Sequence, residues 1–500
     1  MDYAIVLAAA LVIMAVLSTS FATRFGVPAL VLFVGLGMFA GSSGPLGIFF
    51  DDYELSLNLG LIALAIIIFS GGIDTNGRVF RAALLPAGLL ATVGTVLTAL
   101  VVGLVAYLAT PLDLATSLLL GAVLSSTDAA AVFSSLKGQG LPARLRGVLE
   151  TESGTNDPVA IYLTIALAGA VTGGYVDVLG LVGGVIVQLL LGAVLGLVFG
   201  RLLVELINRV DIPIFGLYPV LALAGGLLAY SASNLLGGNG FLAIYLVGLT
   251  LGNLPLAHRR GVASFMEGAA WGAQIVMFLV LGLLVFPDQL GPALPAALLI
   301  TATLLLLARP LAVGLTLALA RLVSGGRSRF SGPEQGLIAW AGLKGAVPVI
   351  LAIVPLLEQV PGGEFIFNVV FVVVILGTLI QGLTIAPLAR WLGLAAPEAP
   401  LPAAALELGG AAPLGAAVFD VRLEPESPAV GTSLRDLPLP EDLVIAAVLR
   451  DGQLITPHGS TVFAAGDRVY LISSSSEATH IPEAFQPARA DPTTQSAKKG

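Results

Sequence analysis

The sequence lacks cysteine altogether and is poor in histidine and in charge. Its 500 residues include no Cys, three His and 11% charged residues, against about 25% charged residues in an ordinary soluble domain. Without cysteine the chain forms no disulfides, has no thiolate nucleophile and holds no Cys-based metal site. None of the histidines lies in an apolar run, which excludes a His-based metal site or a Ser-His-Asp hydrolase within such runs. No Gly-x4-Gly-Lys-Ser/Thr motif occurs, so we expect no ATP-driven pump.

Hydrophobic residues, in contrast, make up 57% of the chain. A soluble protein of this length needs far more polar surface. Apolar runs of about 20 residues, long enough to cross a bilayer, recur through residues 1–394. We therefore predict an all-α, multi-pass membrane domain with about thirteen transmembrane helices. The predicted spans lie near residues 3–20, 28–47, 56–73, 83–109, 114–135, 148–171, 176–200, 213–232, 239–255, 267–286, 293–319, 335–357 and 365–389.

Charge is sorted between alternate loops of this predicted domain. Fourteen Lys and Arg residues fall in the loops of one side, and the loops of the other side carry acidic residues without Lys or Arg. Loops rich in Lys and Arg stay in the cytoplasm. We therefore expect a protein of the inner (cytoplasmic) membrane, in contact with lipid, with its N-terminus outside and its C-terminus in the cytoplasm.

The composition changes after the last predicted span. Residues 395–415 are rich in Ala, Pro, Gly and Leu and are predicted to form a linker. Residues 416–474 combine strand-like apolar runs with turn signals and are predicted to form a small cytosolic α+β domain. The Ser-rich residues 475–500 are predicted to be a disordered tail.

Two local signals support the predicted cytosolic domain. Asp451-Gly452 between apolar runs indicates a β-hairpin, and Thr432–Pro438 is predicted to form a short helix. Residues 395–500 hold 7 basic and 13 acidic residues, an acidic balance that argues against nucleic acid as a partner.

Span six brings several polar side chains to one helix face. Glu152 with Asn156, and Ser153 with Asp157, form two i,i+4 pairs whose oxygen atoms suit a hard cation. Burial disfavours the charged form of Asp157, whereas a bound cation favours it. A proton and a cation would then compete for one carboxylate, which is the minimum device for exchanging them across a membrane. The alternative is that Asp157 only hydrogen-bonds between helices.

Other ionisable residues within or beside the spans are functional candidates because they are costly there. Asp128 interrupts span five and either lies at a cation site or caps a broken helix. Lys344 interrupts span twelve, and two interrupted helices of opposite orientation indicate an inverted-repeat secondary transporter. Glu152 is expected to pair with Arg309 or with Lys344, and this reasoning leaves the choice open. Asp74, at the end of span three, either lines an entrance or is an ordinary interfacial carboxylate.

Four motifs in order along residues 1–394 resemble the sodium/hydrogen exchanger family of monovalent cation:proton antiporters. They are residues 125–132, 152–160, 308–313 and 340–348. The first two motifs look like the bacterial potassium/proton antiporter branch. Residues 416–474 resemble the C-terminal (TrkA-C) half of the regulator-of-potassium-conductance module. Because the nucleotide-binding half is missing, the resemblance implies regulation by a small ligand other than NAD.

The resemblance implies a transporter, not an enzyme, and assigns roles to the polar residues of spans five and six. Asp157 would be the shared proton and cation carboxylate, and Asn156 would complete the Asn-Asp pair associated with electroneutral exchange. Thr127, Asp128 and Ser153 would lie around the cation where the broken helices cross. The implied protein is a homodimer without a resident cofactor, and the only metal ion is the transported monovalent cation.

This sequence departs from the family pattern at two positions. Lys344 stands where the family usually has Arg, and Ala129 stands where many relatives outside the branch have Pro. Lys does not form the bidentate contact with a carboxylate that Arg forms. Arg309 is therefore the stronger candidate for a structural ion pair with Glu152.

Together, the residues and the resemblance predict an antiporter that exchanges K+, in preference to Na+, for H+ by alternating access. Three rival functions remain: a ligand-gated cation channel, a Na+-selective exchanger, and a ligand-sensing membrane protein with an inactive transport core. A channel would conduct without obligatory coupling to protons, and so would not need a carboxylate shared between cation and proton.

Overall fold

The computed structural model describes most of the chain as two compact units. The first unit ends at Pro397 and is helical, and the second, from Ala417 onward, is built on a β-sheet. The described residues are 2–25, 28–128, 132, 139–173, 178–397, 417–425, 427–437, 439–440, 443–450, 453–473 and 485.

The helical unit follows the apolar runs of the sequence. Its first helices are α1 (Asp2–Phe25), α2 (Ala29–Ala40), α3 (Tyr53–Asp74), α4 (Gly77–Leu89), α5 (Thr95–Ala109), α6 (Leu114–Val123) and α7 (Ala143–Gly173). The later helices are α8 (Val178–Arg209), α9 (Leu217–Leu235), α10 (Gly240–Asn253), α11 (Arg259–Leu283), α12 (Leu294–Thr303), α13 (Arg309–Val323), α14 (Gly332–Trp340), α15 (Val347–Leu351), α16 (Val354–Leu357) and α17 (Gly363–Trp391).

The unit is a multi-pass membrane protein by helix length and composition. Within the described ranges, seven helical stretches are long and apolar enough to cross a membrane, and four shorter apolar helical stretches accompany them. Each of the thirteen predicted spans overlaps a helix or a pair of helical pieces. Because several of these pieces are short or polar, the number of thirteen crossings stays a prediction. The seven long stretches are Ile5–Ala22, Tyr53–Asp74, Gly77–Ala109, Val182–Arg209, Arg259–Leu283, Pro287–Val323 and Gly363–Trp391.

Side-chain caps fix where five of the helices begin, and Ser331 caps one of them, α14. Asp52, Asn76, Asp113 and Asn239 accept hydrogen bonds from backbone N–H groups in the first turns of α3, α4, α6 and α10. Such a cap typically stabilises a helix by about 1 kcal/mol. The residues before these helices therefore mark real helix boundaries.

Two sets of helices repeat the same plan. In the first set, α4 passes through a π-helical turn (Leu90–Gly94) into α5, then come the short α6 and the long α7. In the second set, α12 passes through a π-helical turn (Leu304–Ala308) into α13, then come the interrupted α14–α15 and the long α17. This correspondence, in which a short helix ends in unwound backbone ahead of a long helix in each set, is the plan expected of the predicted inverted repeat, and the opposite orientation of the two sets stays a prediction.

The two interruptions meet and satisfy each other's backbone groups. The helix α6 ends at Val123, and the backbone N–H of Asp128 donates to the carbonyl of Leu343, which lies between α14 and α15, at 2.8 Å. The Lys344 ammonium group donates to the carbonyl of Ser126 at 2.6 Å. Unwound backbone at membrane depth is tolerated only where protein groups or water satisfy it. The two unwound segments therefore stabilise each other through these hydrogen bonds.

The second unit is a four-stranded antiparallel sheet in the order β3-β6-β4-β5. These strands are β3 (Ala417–Arg422), β4 (Leu443–Arg450), β5 (Gln453–Ile455) and β6 (Arg468–Ser473); β1 (Gln139–Gly140) and β2 (Ala396–Pro397) lie in the first unit. The predicted short helix is reduced to a 3-10 turn, Leu434–Asp436. Phe485, which the sequence places in the tail, is buried and packs edge-on against Phe463 with ring centroids 6.0 Å apart. The packed module therefore extends beyond its predicted end at residue 474.

Several sequence predictions concern residues outside the described ranges. They are the departure at Ala129, most of the linker 395–415, the Asp451-Gly452 turn and, apart from Phe485, the tail. The described end of the predicted linker, Ala396–Pro397, forms a two-residue strand (β2) paired with Gln139–Gly140 (β1).

Candidate functional site

The candidate site lies where α7 passes the end of α6. Asn156 of α7 donates from Nδ2 to the hydroxyl of Thr127 at 2.6 Å, and the hydroxyl of Ser153 lies 3.2 Å from the same oxygen. Asp157 follows Asn156 in the helix and is 6% exposed. The structure thus brings the predicted residues of span six against the unwound end of span five.

The helix α7 stays continuous through this region. It contains Pro158 and Gly154, two residue types that weaken helices, yet it runs unbroken from Ala143 to Gly173. Proline removes only the N–H that would bond to the carbonyl four residues earlier, at Gly154. The break that frees backbone groups lies instead in the neighbouring segment after α6.

Unsatisfied oxygen atoms collect at this cluster. Among the described residues, Asp157 Oδ1 and Asn156 Oδ1 have no hydrogen-bond partner, and neither does the hydroxyl of Ser126. Buried polar atoms are rarely left unpaired, so each unpaired atom calls for an explanation. Carboxylate, amide and hydroxyl oxygens are the ligands that hard cations prefer, so these atoms form a candidate cation site.

The charged groups that act on Asp157 lie in the two unwound segments, after α6 and between α14 and α15. The carboxylate of Asp128 and the ammonium group of Lys344 both interact electrostatically with Asp157. Asp128 also lies against Gly345, where a Cβ would collide with its carboxylate oxygen. Lys344 lies just beyond the C-terminal end of α6, where the helix dipole favours a positive charge. The site therefore combines two carboxylates with one fixed basic residue.

Glu152, on the same helix, pairs with a basic residue of another helix. Its carboxylate oxygen Oε1 lies 2.7 Å from Nη1 of Arg309, and both side chains are 2% exposed. Arg309 also donates from Nη2 to the carbonyl of Ile338 at 3.3 Å. Of the two candidate partners left by the sequence, the structure places Arg309 at Glu152 and Lys344 at the crossing.

Asp74 lies outside the cluster of the other predicted residues. It is exposed at the C-terminal end of α3, and its electrostatic neighbours are the carboxylates of Glu267 and Glu150. The structure therefore leaves both interpretations of Asp74 open. Nearby, the buried ring of Tyr245 packs against Gly154, where a Cβ would meet it at 2.8 Å.

Sequence reasoning missed two polar residues of α17. Thr378 donates to the carbonyl of Lys344 at 2.9 Å, and Gln381 donates to the carbonyl of Trp340 at 2.6 Å. Their spacing of three residues in an otherwise apolar helix was an available signal. Neither residue is ionisable, so neither carries the large cost in an apolar helix that marks a charged side chain as a functional candidate.

No group of three or more His, Asp or Glu side chains able to hold a metal ion occurs in the part of the chain that the structure describes.

Two interrupted helices that cross beside a buried carboxylate define a secondary transporter of cations. A comparison with known families gives the same class, because the model of the transmembrane sodium/hydrogen exchanger matches residues 9–391. The chain therefore belongs to the sodium/hydrogen exchanger family. The TrkA-C domain matches residues 418–485, a range that includes Phe485.

Relatives along almost the whole chain specify the class further. The K(+)/H(+) antiporter NhaP2 of Shewanella sp. (strain MR-4) is 40% identical over 484 residues, which cover 96% of this chain and 83% of that protein. The K(+)/H(+) antiporter NhaP of Alkalimonas amylolytica is 38% identical over 478 residues, covering 94% and 81%. The protein is thus a cation:proton antiporter and a multi-pass membrane transporter, not an enzyme.

A solved structure shares the fold. The sodium proton antiporter MjNhaP1 from Methanocaldococcus jannaschii at pH 8 superposes with a TM-score of 0.66 at 23% sequence identity. The match covers 78% of this chain and 99% of that chain.

Proposed function

We propose that this protein exchanges K+ for H+ across the cytoplasmic membrane, and that the two ions compete for Asp157. The observation that carries the proposal is the buried Asp157 carboxylate, whose Oδ1 has no hydrogen-bond partner within the described residues. The relatives named K(+)/H(+) antiporters support K+ as the cation.

The competition follows from the cost of burying charge. A carboxylate without water or a partner is strongly destabilised, and either a proton or a bound cation removes that cost. One carboxylate cannot be neutralised by both ions at once, so binding one releases the other. If the site changes the side of the membrane to which it is open only when the carboxylate carries one of the two ions, and not when it is empty, alternating access couples the two fluxes.

The neighbouring residues divide the remaining roles. Thr127, Ser153 and Asn156 supply neutral oxygens near the carboxylate, and their contacts with one another hold them there. Asp128 adds negative charge beside Asp157. Glu152 and Arg309 form the structural ion pair that links α7 to α13. Asp74 would attract cations at the entrance.

The wider assignments are proposals as well. The distribution of Lys and Arg supports an N-terminus outside and a C-terminus in the cytoplasm. We propose that the protein works as a homodimer in the inner membrane. The TrkA-C unit would bind a small ligand that regulates transport.

Proteoliposomes with a trapped pH dye and a clamped membrane potential test the function. The intact protein is expected to give a pH change when K+ is added, and D157N is expected to abolish it. The matched control is D113N, because Asn caps a helix as well as Asp does and Asp113 only caps α6. Exchange at the normal rate in D157N would refute the role of Asp157.

The same assay decides among the rival functions. Cation flux without a dye response would indicate a channel, and a response to Na+ but not to K+ would indicate a Na+-selective exchanger. Absence of both flux and response would indicate an inactive, ligand-sensing core.

A further inference from the structure

The break between α14 and α15 leaves backbone carbonyls that a continuous helix would satisfy, and α17 supplies donors for two of them. The amide of Gln381 donates to the carbonyl of Trp340 at 2.6 Å, and the hydroxyl of Thr378 donates to the carbonyl of Lys344 at 2.9 Å. Gln381 is 0% and Thr378 is 2% exposed. Both donors are thus buried, and no bulk water replaces them.

These contacts hold a residue that reaches the cation cluster. Thr378 bonds to the backbone of Lys344, and the side chain of Lys344 bonds to the carbonyl of Ser126 at 2.6 Å. The next residue, Thr127, accepts the hydrogen bond from Asn156. A short chain of direct contacts therefore joins α17 to the site on α7.

The predicted inverted repeat gives this arrangement a counterpart. In the first repeat, the long helix α7 directs Asn156 at the break after α6. In the second repeat, the corresponding long helix α17 directs Thr378 and Gln381 at the break after α14. Gln381 Oε1 is buried and has no hydrogen-bond partner among the described residues, so packing alone does not favour this side chain.

We propose that Thr378 and Gln381 are positioning residues for cation–proton exchange. They fix the backbone of the break and thereby set where the ammonium group of Lys344 lies relative to Asp157. Within the described residues, the contact of Thr378 reaches the cation cluster through Lys344 and Ser126, and the contact of Gln381 holds the preceding end of the break at Trp340. The inference rests on the proposed function, because it takes Asp157 as the carboxylate that carries both ions.

Transport kinetics give the first test. T378V and Q381M each remove one donor at similar size. Loss of one hydrogen bond corresponds to a factor of about five in an equilibrium constant. Each variant is therefore expected to raise the K+ concentration for half-maximal exchange by about fivefold. The pH profile is expected to shift as well, because Lys344 acts electrostatically on Asp157 within a group of charges that also includes Asp128, Glu152 and Arg309. T378S keeps the hydroxyl, so its half-maximal K+ concentration and its pH profile are expected to match those of the intact protein.

The matched control is T384V, two turns along the same helix from Thr378. The hydroxyl of Thr384 donates to the carbonyl of Ile380 in its own helix and accepts from the indole of Trp340, at an exposed position. It contacts none of the carbonyls at the break, so T384V is expected to leave both values unchanged.

Hydrogen exchange of residues 341–346 gives a second test that does not depend on transport. These amides are expected to exchange faster in T378V and Q381M than in the intact protein, T378S or T384V. Unchanged exchange there, or a fall in maximal rate alone with the same half-maximal concentration and pH profile, would overturn the proposal. If T378V does not fold, Q381M carries both tests. If the intact protein shows no K+-driven pH change, antiport itself fails, and hydrogen exchange still decides whether the two residues hold the break.

Discussion

The buried ion pair between α7 and α13 allows a quantitative prediction. Replacing Arg309 by Met removes the guanidinium and leaves the carboxylate of Glu152, 2% exposed, without its charged partner. The long apolar side chain of Met fills part of the space, so loss of packing is small. The perturbation therefore tests charge compensation.

The expected cost follows from the geometry of the pair. At an effective dielectric constant of about 20, unit charges separated by 2.7 Å attract by about 6 kcal/mol. In the intact protein, desolvation of both groups offsets most of this attraction. In R309M the attraction is lost while the desolvation of Glu152 remains, so we expect a loss of about 3–5 kcal/mol. The double variant E152Q/R309M removes the stranded charge and is expected to recover part of this loss.

Thermal unfolding of the detergent-solubilised protein, followed by the fraction that stays monodisperse, measures the effect. The control is R209M, which removes an i,i+4 ion pair with Glu205 whose side chains are 77% and 56% exposed. An exposed pair contributes about 0–1 kcal/mol, so R209M is expected to unfold near the temperature of the intact protein. Equal stability of R309M and R209M would refute the reasoning, as would a double variant less stable than R309M.

Two further predictions concern the ring beside the site and the second unit. G154A is expected to lower exchange strongly, because the new Cβ would collide with the ring of Tyr245. The control is G169A on the same helix, whose new Cβ meets nothing within 4 Å and should leave the dye response unchanged. Equal activity of the two variants would contradict a close contact between Gly154 and Tyr245. In the second unit, hydrogen bonds from Arg450 lower the pKa of the Asp467 carboxyl from its ordinary value of 3.8. That pair therefore stabilises the sheet above the ordinary pKa and loses its effect as the pH falls through the lowered one. R450M is expected to cost about 1–3 kcal/mol at pH 7 by hydrogen exchange of β4 and β6, and the cost should shrink below pH 3.8; a cost independent of pH would contradict this.

Local patterns made much of the fold predictable. Hydropathy placed a helix within each of the thirteen predicted spans, because lipid requires long apolar helices whatever their neighbours are. Helical spacing alone put Glu152, Ser153, Asn156 and Asp157 on one helix. The break after α6 was indicated by Asp128, because a charge in an apolar run is tolerated only where something compensates it.

Contacts between distant parts of the chain were not predictable in this way. The choice of Arg309 for Glu152 depends on how the fold brings the start of α13 to α7, because the two residues are 157 positions apart in sequence. Thr378 and Gln381 carry no charge, so their cost in an apolar helix is small and their partners are backbone carbonyls without a sequence signature. Phe485 follows a Ser-rich stretch whose composition indicates disorder, yet one aromatic side chain suffices to complete the core around Phe463.

The two buried basic residues show why Lys and Arg are not interchangeable here. Arg309 uses the separate nitrogens of its guanidinium on two acceptors, Glu152 and the carbonyl of Ile338, which face it from different helices. Lys344 directs a single ammonium group at one carbonyl, that of Ser126, close to both Asp128 and Asp157. A guanidinium at position 344 would remain charged at every relevant pH, whereas an ammonium group can release its proton when buried. The departure from the family's usual Arg therefore places a basic group that can change its charge next to the carboxylate on which exchange is proposed to depend.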